Sequence, residues 1–287
     1  VKPLILSPLS SLIFTKPSVS AAKIADDEWT TDTSLSNPRD AVSEILTGLQ
    51  TSDPSTLLRG HWFRALVPSL NLAQIDQIID SLILKNPDSA LVFFDLLTNE
   101  YGFRHSRASQ FVIAHVLAGK RRLKELRSVL QRMLQEEGSG SAASLCELLW
   151  NSFKDWDSNG LVWDMLAFAY SRFDLVHDAL FVLAKMKDLN VRASILTYNS
   201  LLYNLRHTDI IWDVYNAIKA SGNPQSKYTN SIFIDGLCKQ SLIQEAVAFL
   251  RETEGKESRP CVVSFNTLIS EFCKMGFVDV AKSFFFV

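Results

Sequence analysis

The sequence predicts an all-α chain whose C-terminal half is an α-solenoid of stacked helix-turn-helix repeats. Three observations carry this. Four segments align, starting at Gly160, Ile195, Lys227 and Val262, so the starts are 35, 32 and 35 residues apart. Each reads as an apolar helix, a short turn and a second apolar helix, and no alternating run bounded by hairpin turns argues for strands. A hairpin of this kind cannot bury both faces alone, so neighbours must stack into one continuous core.

The elements follow in order. Residues 1–25 hold no acidic residue, are rich in Ser and carry Lys2, Lys16 and Lys23. That composition reads as an organellar transit peptide, and its lack of Arg leans toward the chloroplast over the mitochondrion. The chain starts at Val1 rather than Met, which reads as an N-terminal fragment of a longer protein. Residues 26–38 are a polar linker. A helical N-terminal region spans 39–104, with amphipathic segments at 39–50, 54–67, 71–84 and 87–100 set off by Pro54, Pro68 and Pro87. Residues 105–159 read as one or more divergent helical repeats, the first beginning near His105 and its second helix ending at Gly138. The repeats proper are 160–194, a short 195–226, 227–261 and a final 262–287 that stops part-way through its second helix. Ala179, Ala246 and Ala281 recur at one place on the second helices, where close packing needs a small side chain.

Composition narrows the function. The chain is 47% hydrophobic and 21% charged, which is globular, and its formal net charge of −2 gives no overall basic signature. Nucleic-acid binding must therefore use a local patch. One is visible: the thirteenth residues of the four units are Arg172, His207, Lys239 and Lys274, which stacking would align as a stripe suited to phosphates. The competing reading is a set of solvated helix ends where cations suit the macrodipole. A second basic run, Lys120 to Arg127, reads as a solvated helix start.

Other chemistries lack their motifs. Cys146, Cys238, Cys261 and Cys273 form no CxxC pair and read as reduced core thiols. The histidines have no metal-ligand spacing, so no metal is expected. GSGSAA at 138–143 resembles a phosphate loop by letter, but it follows a helix rather than a strand. Trp150, Trp156 and Trp163 read as a core around 141–163. No apolar run approaches the roughly 18 residues that span a bilayer, so membrane insertion is not expected.

The repeat wording adds a resemblance. LTYNSLL at 196–202, FIDGLCKQ at 233–240, EAVAFL at 245–250 and VSFNTLISEFCKMG at 263–276 resemble the pentatricopeptide repeat (PPR) family, whose motif runs close to VVTYNTLIDGLCKAGRVDEALELFEEM. AYSR and DALFVLAKM in 160–194 match more loosely, and NPDSALVFFDLLTNEYGFRHS at 86–106 resembles the leader common ahead of plant PPR arrays. The spacing is similar to the plain P-type subclass. The resemblance implies a right-handed solenoid that binds single-stranded RNA, about one base per repeat. The family's base-reading positions are the fifth and last residues of a repeat. These fall on Asp164, Asn199, Ser231 and Asn266, and on Ser194, Ser226 and Cys261. Asn199 with Ser226 resembles a pyrimidine-preferring pair. The second residues, Leu161, Leu196, Tyr228 and Val263, are implied to stack on bases.

The implied function is a non-enzymatic, sequence-selective RNA adaptor in an organelle, acting in transcript processing, stability or translation beside processing factors. No cofactor and no DNA partner are expected. The alternative is a protein-binding α-solenoid scaffold without RNA specificity.

Overall fold

The structure is a computed structural model that describes residues 38–51, 53–223, 226–253 and 261–284. The leader 1–25, nearly all of the 26–38 linker and Val287 lie outside the described residues. Sixteen α-helices make up the described residues, which contain no strand. They fall into two compact units, one up to Arg122 and one from Leu123.

The first unit holds α1 (Pro38–Thr51), α2 (Pro54–Leu58), α3 (His61–Leu66), α4 (Leu72–Lys85), α5 (Pro87–Tyr101) and α6 (Arg107–Gly119). The prolines mark helix starts as expected, because Pro at the first turn loses no hydrogen bond. Asp53 caps α2, Asn71 forms a capping box with Gln74 at α4, and Asn86 caps α5. The single helix expected over 54–67 is instead broken. Gly60 ends the α2 turn by donating to Leu57 O at 3.1 Å and is the N-cap of α3; a 3-10 turn at Val67–Ser69 follows. Helix α4 is central: α1, α5 and α6 all pack on it.

The second unit holds α7 (Leu123–Glu137), α8 (Ala142–Phe153), α9 (Asn159–Arg172), α10 (Val176–Asp188), α11 (Ile195–Asn204), α12 (Ile211–Ala220), α13 (Lys227–Lys239), α14 (Ile243–Thr253), α15 (Val262–Lys274) and α16 (Val278–Ser283). Four hairpins, α9–α10 through α15–α16, match the four aligned segments. Their first helices stack in succession, α9 on α11, α11 on α13, α13 on α15, and α7 extends that column through its contact with α9. This is the α-solenoid the repeat predicts.

The packing follows from the pattern. Ala179, Ala246 and Ala281 are all buried. Between repeats the core is aromatic: Tyr215 of α12 stacks on Phe233 of α13 at 4.1 Å between ring centroids, and Phe249 of α14 meets both edge-on. Burying a side chain of that size is worth about 1.5–3 kcal/mol. Gly236 lets α13 approach the α11–α12 turn, since a Cβ there lies 2.1 Å from Ile211 Cδ1 and 3.3 Å from the Arg206 backbone.

The turns of three of the four hairpins, all but α11–α12, share one geometry. Asp174, Ser241 and Gly276 adopt left-handed φ of 59°, 63° and 82°. The next N–H, of Leu175, Leu242 or Phe277, donates to the carbonyl five residues back at 3.0, 2.9 and 2.9 Å. This closes each helix as a Schellman motif.

At the start of the second unit, helix α8 packs on α10. Its N-cap Ser141 makes no capping bond; its hydroxyl meets Gly138 O and Tyr170 Oη, both at 2.8 Å. Asp178 of α10 caps α8 instead, accepting from Gly140 N at 2.9 Å and Ala142 N at 3.2 Å. Two of the GSGSAA amides, those of Gly140 and Ala142, are thus held by a carboxylate of the same unit. Of the three tryptophans near this junction, Trp163 is fully buried, whereas Trp150 and Trp156 remain partly exposed, so the expected tryptophan core reduces to one side chain. The cysteines divide likewise: Cys146 and Cys238 are buried, Cys261 is half-buried and Cys273 is exposed.

Candidate nucleic-acid interface

The first helix of each repeat begins at a residue that closes the preceding repeat. Ser194, Ser226 and Cys261 are the N-caps of α11, α13 and α15. The hydroxyls of Ser194 and Ser226 accept the N–H of Thr197 at 3.3 Å and of Thr229 at 3.2 Å. Stacking of the first helices brings the fifth residue of the preceding repeat to the same spot.

A third side chain joins each pair. Thr197 Oγ1 donates to Asp164 Oδ1 at 2.7 Å, Thr229 Oγ1 to Asn199 Oδ1 at 2.9 Å, and Ser264 Oγ to Ser231 Oγ at 2.8 Å. The first unit repeats the arrangement: Ser109 and Ser106, the latter the N-cap of α6, donate to Asp76 Oδ1 at 2.6 and 2.9 Å. The separation from acceptor to third-position hydroxyl is 33 residues in three cases and 30 for Asn199, matching its short repeat.

These clusters differ in what they leave exposed. Asp164 is 5% exposed, and one carboxylate oxygen takes both the Thr197 hydroxyl and Ser194 N–H, the latter at 2.8 Å. It joins one repeat to the next. The Ser231 hydroxyl accepts from Ser264 and lies 2.7 Å from Lys227 O and 3.1 Å from Cys261 Sγ, either of which can take its proton. Burial raises the pKa of the Cys261 thiol, but the Ser231 hydroxyl and the backbone N–H groups of Val263 and Ser264 outweigh it, leaving the thiol below its ordinary value. Asn199 is only half-buried and engages its oxygen alone, leaving its Nδ2 amide without a partner among the described residues. Asn266 is exposed.

The second residues flank these clusters. Leu196, Tyr228 and Val263 are 44%, 63% and 62% exposed, as a stacking platform requires, while Leu161 is half-buried. Tyr228 lies between Ser226 and Thr229 along α13, with Lys227 Nζ 5.5 Å from its ring centroid.

The basic positions form a less regular row than residue counting predicts. Arg172, Lys239 and Lys274 are the last residues of α9, α13 and α15, and all are exposed. His207 lies three residues past the end of α11, in the turn, because α11 stops at Asn204. Lys239 pairs with Asp235 at 2.9 Å and Lys274 with Glu271 at 2.6 Å, each one helical turn back. Arg206 of the same turn shares Asp235 at 3.5 Å and stacks on Tyr203 at 3.8 Å.

The third-position hydroxyls and Asp76 are the site residues that sequence reading passes over. Their signal was present: Thr197, Thr229 and Ser264 each stand two residues before a fifth position.

The site is therefore a set of polar junctions between stacked helical hairpins, and the protein class the fold defines is a helical-repeat protein. Two family models described as "PPR repeat" match residues 231–257 and 256–285. A pentatricopeptide repeat-containing protein of Arabidopsis thaliana is 48% identical over 262 residues, which is 91% of this chain and 31% of that protein. Two further Arabidopsis thaliana pentatricopeptide repeat-containing proteins, one described as mitochondrial and one as chloroplastic, are 25% identical over 63% and 26% identical over 83% of this chain. The chain covers 34% and 31% of those two. These matches support the PPR family, and the chain spans about a third of the length of the curated relatives it matches. Among solved structures, the crystal structure of PPR10 with an 18-nt PSAJ RNA element is 22% identical, with 82% of this chain and 32% of that one covered and a TM-score of 0.42.

Proposed function

We propose that this chain binds single-stranded RNA along the row of inter-repeat junctions, as a non-catalytic adaptor in organellar transcript processing, stability or translation. The observation that carries the reading is the junction at Asn199. A half-buried amide on a rigid helix keeps two hydrogen-bond donors without a partner among the described residues, and the helix it is bonded to begins with the N-cap Ser226 and the exposed Tyr228. That combination reads a base edge and stacks on a base face at little cost in side-chain entropy. The PPR matches at 231–257 and 256–285 support the same reading, since repeats of this class read one base each with two or three side chains. Asn266 with Val263 is a second reading position. The relatives described as mitochondrial and chloroplastic agree with an organellar setting without choosing between the two.

The pairing of Lys239 and Lys274 with carboxylates favours a second reading, a scaffold that binds a protein partner. The two are separated by selecting bound sequences from a pool of single-stranded RNA randomised over about ten nucleotides, a length well above the few bases four repeats can read. RNA binding predicts an enriched motif whose affinity falls as salt rises and falls again when Arg172 is replaced by Ala. An unenriched pool, or binding insensitive to salt, contradicts it and favours the scaffold.

A further inference from the structure

We infer that Thr229 is a positioning residue that sets which hydrogen-bonding groups Asn199 and Ser226 present to a base. This rests on the RNA-binding reading above and deepens it. Thr229 is fully buried and reaches no solvent, so it touches no ligand itself. Its hydroxyl is shared by the two reading residues: it donates to Asn199 Oδ1 at 2.9 Å and lies 3.0 Å from Ser226 Oγ. Its N–H, at 3.2 Å, is held by the same Ser226 oxygen.

A hydroxyl has one proton to give. With the Thr229 proton on Asn199, the contact between Thr229 and Ser226 must use the Ser226 proton. The order is then Ser226 hydroxyl to Thr229 hydroxyl to Asn199 carbonyl. Two consequences follow. The Asn199 amide can turn over only if the Thr229 proton swings to Ser226 in the same step, so the two reading residues are coupled through Thr229; in the order given, the Nδ2 donors stay free of Thr229. The Ser226 hydroxyl, its proton committed, has only acceptor capacity left. In that order the pair presents one donor side and one acceptor side, coupled through Thr229, a pattern that can tell base edges apart.

The other junctions show why the third residue matters. At Asp164 the same hydroxyl position meets a carboxylate, whose two ends are alike and carry no proton to orient. At Ser231 the partner is another hydroxyl, with no amide to turn. Only at Asn199, among the described junctions, does the third-position hydroxyl select between two chemically different faces.

The test compares the 287-residue chain with its Thr229→Val and Thr229→Ser variants on the RNA enriched from the random pool, with each position replaced in turn by the other three bases. Val keeps the shape and the N–H held by Ser226 but loses the proton; Ser keeps the proton. At the one position where Asn199→Ala abolishes discrimination, Thr229→Val is expected to lower it by about tenfold, the size of one oriented hydrogen bond, while Thr229→Ser retains it. Affinity for RNA altered elsewhere stays within about twofold of wild type, as expected of sites that share no partners. Discrimination unchanged in a folded Thr229→Val overturns the proposal. If Val and a companion Thr229→Ala both lose the helical circular dichroism signal, Thr229 serves the fold alone and the proposal is equally overturned. A wild-type chain that discriminates at no position defeats the RNA reading itself, before any variant is made.

Discussion

Thr229 of α13 donates its hydroxyl proton to the side-chain oxygen of Asn199 on α11, 2.9 Å away and one repeat earlier. The bond ties two stacked helices and leaves the amide nitrogen of Asn199 outward. Equivalent bonds at Asp164–Thr197, Ser231–Ser264 and Asp76–Ser109 show that the repeat carries a polar joint between first helices as well as an apolar core. At Asn199 the amide nitrogen is without a partner among the described residues.

The capping of α8 from a distance gives a stability prediction. Asp178 serves Gly140 and Ala142 across 38 and 36 residues of chain, where α8 has no capping bond of its own. Asp178→Ala is expected to cost about 1–2 kcal/mol, as loss of an N-cap does, because it strands two N–H groups at the α8 start. Urea unfolding followed by circular dichroism measures it. A midpoint unchanged from wild type contradicts the assignment.

A turn offers the opposite change. Ser241 holds φ at 63°, a conformation that glycine adopts freely and that Gly276 occupies at the same place one repeat later. Ser241→Gly relieves a left-handed strain of about 1–2 kcal/mol, partly offset by the extra freedom of glycine in the unfolded chain. The expected result is a small rise in the thermal midpoint. A fall shows that the Ser241 side chain contributes more than its backbone costs.

His115 makes the first unit pH-sensitive. Burial within α6 lowers its pKa from 6.5 to about 4. A base whose folded pKa lies below its unfolded value binds its proton more tightly when unfolded, so stability is full above pH 6.5 and declines toward pH 4. The decline reaches on the order of 3 kcal/mol. Unfolding midpoints measured across that range should fall less steeply in His115→Gln than in the wild type. Parallel curves contradict the assignment.

Much of this architecture is legible in the sequence, for identifiable reasons. Prolines between segments and a period near 35 residues placed α4, α5 and the starts of α9, α11, α13 and α15 close to where they are observed, because both signals are local. What escaped was set by contacts between distant residues or by turns that residue counting skips. Gly60 split an expected helix. Asp178 reaches a loop 38 residues away, which no local pattern announces. His207 aligned by number with Arg172 and Lys239, yet α11 ends at Asn204 and carries it off the helix end. The candidate base-reading positions were found from a family pattern, whereas the hydroxyls that hold them needed the stacked helices to be seen.

The most direct test of the central claim is ultraviolet crosslinking of the enriched RNA to the 287-residue chain, with mass spectrometry of the digested protein. Tyr228 is exposed, aromatic and two residues from Ser226, so a bound base lies against its ring. The account predicts a nucleotide adduct on the peptide containing Tyr228, lost when Tyr228 is changed to Ala. Adducts confined to other regions of the chain, with the Tyr228 peptide unmodified at saturating RNA, contradict it.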